Sequence, residues 1–486
     1  MSPRRWALTE SLLVFSDVHL GSDLNDSGPK VPRSTAIDRD LAALLAHYRR
    51  TAPPADRWRL VIAGDFVDFV GMSIDPREGD VLLTEPTSRE RALGLGGAED
   101  HVRLKLERAR ARHPEVFAEL AAFVGGGNAL TFVHGNHDLE MHWDSVREAF
   151  VQLLGADRSR VDFEPWFFHL DGIVYIEHGH QYDPFCATPY VLAPLSPRDP
   201  TRVLESLSDT LLRSIVRRTP GMKEYGHEGR GLTSYISWGL TLGARGTARL
   251  FSRFFGAVLV LRDTARAYAS DGGAFVRDEH ERCLVERSAA TGIPVDRLRA
   301  ALALHVVPLG RTPRGVLASV MLDRFAVFLV MVPLLLTLTL LRSHLGAWAV
   351  PSVLGLLLAW LALHVWLSRG RPNVDPAAVM VDRASRLSEL FPSSFVVMGH
   401  THVPSSKQVG DAIYINVGSW AEEEPDPSAA KPYRAPRTHL VLAPHPDRHQ
   451  ADLREWISGE GPRTIRSLVR LTGSAGEGGD VSAVAS

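Results

Sequence analysis

Side chains of metal-binding type recur along this chain in five short motifs, and the last stands far from the other four. Any fold it adopts must bring distant segments back to one place. The motifs are Asp17 and His19 in SDVHLG, Asp65 in GDFVD, Asn136 and His137 in GNHD, His178 in HGH, and His400 and His402 in GHTH. About 220 residues separate His178 from His400. Carboxylates, imidazoles and one amide suit a hard to borderline divalent ion such as Mn, Fe or Zn. A thiolate site would need more than Cys186 and Cys283, the two cysteines present. The motifs predict ligands for two metal ions.

The 486 residues are enough for a full enzyme domain plus a second domain or large insertions. Lys and Arg (54) nearly balance Asp and Glu (56), so no global charge directs the chain to nucleic acid. No nucleic-acid partner is expected. Two cysteines, with no secretory hydrophobic segment ahead of the first predicted strand, fit a reducing compartment.

Two apolar runs, 12–15 and 60–63, end directly in Ser16-Asp17 and Gly64-Asp65, and a third, 129–133, runs into Gly135-Asn136-His137. Each reads as a buried strand that delivers a ligand at its C-terminal end. Between them, 35–50 and 115–124 carry apolar residues at helical spacing. Strand, helix, strand alternation argues for α/β layering with the site on loops beyond the strand ends. Residues 167–170 and 173–176 read as two strands joined by the turn Asp171-Gly172, with His178 at the exit. Late strands are expected at 395–398, 413–417 and 439–443, and residues 458–486 read as a flexible, Gly- and Ser-rich tail.

A dinuclear site needs a ligand that bridges its ions, and a carboxylate on a rigid strand end suits that task. Asp65 is the expected bridge. Asp17, His19 and His402 would complete one metal, and Asn136, His178 and His400 the other. Water or hydroxide between the ions would attack phosphorus in line. His137 is placed to donate a proton to the leaving oxygen, with Asp138 orienting its ring. Asp68 reads equally well as a support of the metal site or as a helix cap. His101, His134, His142 and His180 match no ligand position, and both cysteines read as inert thiols.

The set DVH, GDFVD, GNHD, HGH and GHTH resembles the calcineurin-like metallophosphoesterase superfamily, over roughly residues 10–182 and 392–445. The resemblance implies a four-layer α/β/β/α sandwich with a dinuclear metal site, and every ligand type of the family has its match here. SDVHLG and HGHQYD further resemble the bacterial hydrolases that cleave the pyrophosphate of UDP-diacylglucosamine, although some of those carry GNRD where this chain has GNHD.

The span between the motifs exceeds what a compact metallophosphoesterase needs. The expected organisation is residues 1–184 and 391–457 as the two parts of the catalytic domain, with a helical, membrane-associated insertion at 185–390. Within the insertion, 325–341 and 345–367 are uncharged and read as a transmembrane hairpin. A buried helical hairpin, in a soluble subdomain or a dimer interface, is the other reading. Arg311, Arg314 and Arg324 before the pair and Arg369 and Arg371 after it place the catalytic side in the cytoplasm. Residues 243–266 carry Arg245, Arg249 and Arg253 at four-residue steps, and fit either a basic helix on anionic lipid or a solvated helix packed on the catalytic domain. The expected function is a membrane-anchored, dinuclear metal-dependent phosphoesterase acting on a phosphorylated substrate, lipid-linked or nucleotide. The alternative is a non-catalytic membrane scaffold that keeps the fold and binds metal or a phosphorylated ligand.

Overall fold

Apolar runs that end in a ligand-type residue become the inner strands of two sheets. The computed structural model describes residues 10–29, 33–220, 222, 241–311, 322–369, 375–421, 436–444 and 448–471. In chain order the strands are β1 (Glu10–Phe15), β2 (Arg57–Ala63), β3 (Ala129–Val133), β4 (Val161–Glu164), β5 (Phe167–Leu170), β6 (Gly172–Glu177), β7 (Leu195–Ser196) and β8 (Asp199–Val203). After a helical stretch come β9 (Ser393–Met398), β10 (Ser405–Val409), β11 (Ala412–Asn416), β12 (Thr438–Pro444), β13 (Arg448–Ile457) and β14 (Gly461–Leu471).

One sheet has seven strands in the order β14-β13-β12-β1-β2-β3-β4, and a second has five in the order β10-β11-β9-β6-β5. β1 to β4 are parallel, which aligns their C-terminal ends: Phe15 lies opposite Ile62, and Ala63 opposite Val133. β6 and β9 are likewise parallel, with Ile176 opposite Val397. Parallel register therefore brings the loops that follow β1, β2 and β3 to one edge, and those that follow β6 and β9 to another.

Strand alternation divides the core into layers. Leu13 and Phe15 of β1 face one apolar cluster, while Leu12 and Val14 face a second, between the sheets, where they meet Ile176 and Val397. The first cluster is closed by α1 (Thr35–Arg50), α2 (Glu99–Arg112), α3 (Pro114–Gly125) and α4 (Asp144–Leu154). Helix α1 begins where the Ser34 side chain accepts from the Ala36 amide, and it ends in basic residues, as its dipole favours.

Residues 185–390 contain α5 (Leu207–Ser214), α6 (Gly243–Ala267), α7 (Asp271–Thr291), α8 (Val295–Leu302), α9 (Leu322–Leu340), α10 (Ala349–Arg369) and α11 (Pro376–Leu390). The expectation of an insertion over this whole span needs correction. Leu284 of α7, Leu298 of α8 and Met380 and Leu387 of α11 pack on Tyr175, Val396 and Tyr414 of the second sheet, so these helices form its outer layer. Helical periodicity alone could not distinguish a layer helix from an appended one.

The tail expectation is also corrected. Residues 461–471 form β14, paired along its length with β13 at the edge of the large sheet, and only 472–486 of the expected tail lies outside the described residues. Leu468 is buried while Ile465 and Val469 are exposed, and pairing with β13 rather than composition decides the state of this stretch.

Helices α9 and α10 pack together, with the rings of Phe328 and Trp360 6.2 Å apart, and present Val330, Leu336, Leu358 and Trp366 outward. Among the described residues one helical stretch, Arg342–Leu367, is long and apolar enough to cross a membrane, and none of its apolar window is buried in protein. The earlier apolar stretch, Val330–Leu340, is shorter than a bilayer core requires, so the two-span expectation is met by length at one helix only. Arg314 and Arg371, expected to flank the pair, lie outside the described residues.

Candidate metal centre

The backbone marks the site before any side chain is considered. Asp17, His19, Asp65, His400 and His402 are the non-glycine residues with positive φ among the described residues, at 54°, 52°, 54°, 69° and 59°. Such backbone costs about 1–3 kcal/mol per residue and persists where surroundings over-determine it. All five belong to the predicted ligands.

Their side chains converge in the interior. Asp17 Oδ1 lies 3.1 Å from His402 Nε2 and 4.0 Å from His19 Nε2. Asp65 Oδ2 lies 3.2 Å from His178 Nε2 and 3.7 Å from His19 Nε2. Asn136 Oδ1 is 3.2 Å from His178 Nε2. Two groups, Asp17 with His19 and His402, and Asp17 with Asp65 and His178, each hold their ligating atoms within 4.8 Å of one another and are buried. The oxygens turned away from these groups are occupied: Asp17 Oδ2 accepts from the His400 amide at 3.0 Å and Asp65 Oδ1 from the His137 amide at 2.8 Å. His178 Nδ1 donates to the Ala63 carbonyl at 2.9 Å, which makes Nε2 the nitrogen turned toward the carboxylates.

Glycine admits this packing. A Cβ on Gly64, whose φ is +91°, would strike the His178 ring, one on Gly135 would strike the Asp65 carboxylate, and one on Gly399 would strike Ser16 and Asp17. The loops cross where Asp17 N bonds to Gly64 O (3.1 Å), Gly399 N to His178 O (3.0 Å) and Trp420 N to Asp17 O (3.0 Å). The last of these bonds ties the two sheets together at their ligand-bearing ends.

The electrostatics suit a cation site. Burial would raise the Asp17 carboxyl, but His402 and His178 hold it down at about 2, and Asp65 is held well below its usual range by His178 and His137. Burial would depress His178, but Asp65 and Asp17 push it up to about 9. His19 is driven down to about 3, mainly by burial and then by His137, and is neutral as a metal ligand must be. Without cations, protons on the imidazoles compensate the carboxylates. Divalent ions fit the same donor set in their place.

His400 is placed differently from the expectation. Its Nε2 faces Asp183 Oδ2 at 3.2 Å, and it groups with Asp183 and Cys186, while its ring still stands 5.3 Å from that of His178. Asp183 went unnoticed in the sequence although it lies five residues beyond His178 in HGHQYD, a proximity that could have flagged it.

The role given to Asp138 is corrected. His137 Nδ1 bonds to Asp68 Oδ1 at 2.6 Å, and Asp138 does not orient that ring. Asp138 instead accepts from the Gly135 amide at 2.6 Å and the Phe66 amide at 2.8 Å, bracing the second and third ligand loops. Asp68 caps no helix, for Gly71 N at 2.7 Å is its backbone donor. Burial would lower His137, but Asp68 and Asp65 outweigh it and hold the ring protonated, as a proton donor requires. His101, His134 and His180, which match no ligand position, are buried.

Residues 11–229 match the family model for calcineurin-like phosphoesterases. Over that segment the chain is similar to calcineurin-like phosphoesterases. Calcineurin-like phosphoesterases use divalent metals, and the clusters described above supply donors for them. No curated protein matches the chain. Among solved structures it is similar to a Vps29 mutant from Entamoeba histolytica, at 17% identity, a TM-score of 0.14, 17% of this chain and 43% of that one. A predicted phosphoesterase from Streptococcus pneumoniae matches at 16% identity and a TM-score of 0.12, over 18% of this chain and 45% of that one. The phosphopantetheinyl hydrolase of Mycobacterium tuberculosis matches at 11% identity and a TM-score of 0.23, over 88% of this chain and 100% of that one. The chain thus spans less than half the length of the first two, and at these TM-scores none of the three carries weight beyond the family match.

Proposed function

We propose that the protein is a membrane-anchored, dinuclear metal-dependent phosphoesterase whose site opens to the cytoplasm. The observation that carries this reading is the convergence of strained, buried donors from both sheets, since five αL non-glycine residues are hard to account for without a bound group that fixes them. Asp17, His19, Asp65 and His402 would hold one ion, and Asp65, Asn136, His178 and His400 the other, with Asp183 steadying His400 from outside. Two divalent ions there would supply a water of lowered pKa and stabilise charge on the phosphoryl oxygens. His137, pinned at Nδ1 by Asp68, has Nε2 left to protonate the leaving oxygen. The substrate class is a phosphoester or pyrophosphate, lipid-linked if the apolar helices α9 and α10 hold the site at the inner leaflet. Their outward apolar faces support that anchoring.

The test uses full-length protein loaded with Mn and a generic diester, bis(4-nitrophenyl) phosphate. Wild type turns over, Asp65→Ala loses metal and activity, and His137→Ala keeps metal but loses most of the rate. Equal rates in the three would sink the catalytic reading. Fractionation tests the anchor: release by carbonate without detergent would rule out a spanning helix.

A further inference from the structure

Arg217 is a cation from the region between the motifs, yet it lies inside the catalytic half. It is 3% exposed, and its Nη2 stands 3.4 Å from Asp68 Oδ2 across 149 residues of sequence. The other carboxylate oxygen, Asp68 Oδ1, takes the Gly71 amide and His137 Nδ1. Asp68 is thus held on both oxygens, by backbone on one side and by Arg217 on the other.

Arg217 is itself seated. Its Nη1 donates to the Ser22 carbonyl, and its own carbonyl accepts from Asn25 Nδ2 at 3.1 Å. A Cβ on Gly71 would occupy the place of the Arg217 guanidinium and the Asp68 carboxylate, and one on Gly28 would strike the Arg217 carbonyl. From the far side, Arg253 of α6 donates to Thr219 Oγ1 at 3.1 Å. A buried carboxylate held at one oxygen can rotate, whereas one held at both keeps its plane and any ring bonded to it.

We infer that Arg217 is a positioning residue for the proton donor His137, acting through Asp68, so that the segment after α5 completes the catalytic site. The inference rests on the phosphoesterase reading, because it assigns Arg217 a share of that reaction. It also gives residues 185–219 a part in catalysis that does not depend on any membrane.

A double-mutant cycle separates this from a merely structural staple. Full-length, Mn-loaded wild type, Arg217→Gln, His137→Ala and the double variant are assayed on bis(4-nitrophenyl) phosphate, with metal content measured on each. Arg217→Gln should lower kcat by about ten- to a hundredfold, as loss of a supporting partner does, with KM and metal content unchanged. In the His137→Ala background the same change should alter kcat less than twofold. Arg217→Lys should recover part of the loss, and it replaces Arg217→Gln in the cycle if that variant does not fold. An equal fold-loss in both backgrounds, or a loss of metal, would overturn the inference while leaving the phosphoesterase reading intact. A wild type that does not turn over would overturn both.

Discussion

Three carboxylates surround His137, and their environments assign them different work. Asp65 turns one oxygen to the donors of the centre and gives the other to the His137 amide; Asp68 holds the ring; Asp138 spans two backbone amides. Sequence adjacency suggested Asp138 as the partner of His137, but neighbouring side chains on a tight turn point apart, and the residue that reaches the ring arrives from the loop after β2. Asp138→Ala should therefore act on architecture. Two buried amides lose their acceptor at about 1–3 kcal/mol each. A fall in melting temperature together with metal content is expected. A variant with normal stability and metal that loses only turnover would return Asp138 to a role in proton transfer.

At the scale of elements, the large sheet carries its own buried ion network. Arg59 of β2 bonds to Glu10 of β1, to Thr131 of β3 at 2.8 Å and to Asp162 of β4 at 3.0 Å, linking the four parallel strands. Burial would raise Glu10, but Arg59 and Arg57 overcome it and lower its pKa. A lowered carboxyl adds stability above the unfolded glutamate value, and the contribution is lost as pH falls through the folded one. Glu10→Gln should cost about 1–3 kcal/mol near neutrality, where a charge-assisted buried bond is lost. In denaturant titrations the gap between wild type and variant should close as pH falls below about 4. A gap that stays constant down to pH 3 would show that the charge of Glu10 contributes nothing. Of the strands in this network, β1, β2 and β3 were legible because apolar runs ended at motifs, whereas β4 ends at no motif and β14 has a pattern that acquires meaning only beside β13.

For the molecule as a whole, the centre lies where segments from both sheets meet. Ligand candidates from β1, β2 and β3 belong to one sheet, and His178, His400 and His402 to the other. A cation bound between them stabilises the folded state alone, by about 2.7 kcal/mol at a hundredfold excess over Kd. Chelation should accordingly lower the melting temperature, and Mn should restore it in a concentration-dependent way. An unchanged melting temperature on chelation would argue against ions bridging the sheets.

The sequence by itself determined the donor types, their placement at strand ends and the α/β alternation, because apolar runs, turn glycines and ligand chemistry are local properties. It also marked the exposed apolar helices by length and charge. Tertiary structure decided the rest: that Asp68 rather than Asp138 holds His137, that His400 meets Asp183, that α7, α8 and α11 form an outer layer, and that Arg217 enters the site. Each of these depends on which distant surfaces pack together, and packing is set by the whole set of buried faces, which no single stretch of chain contains.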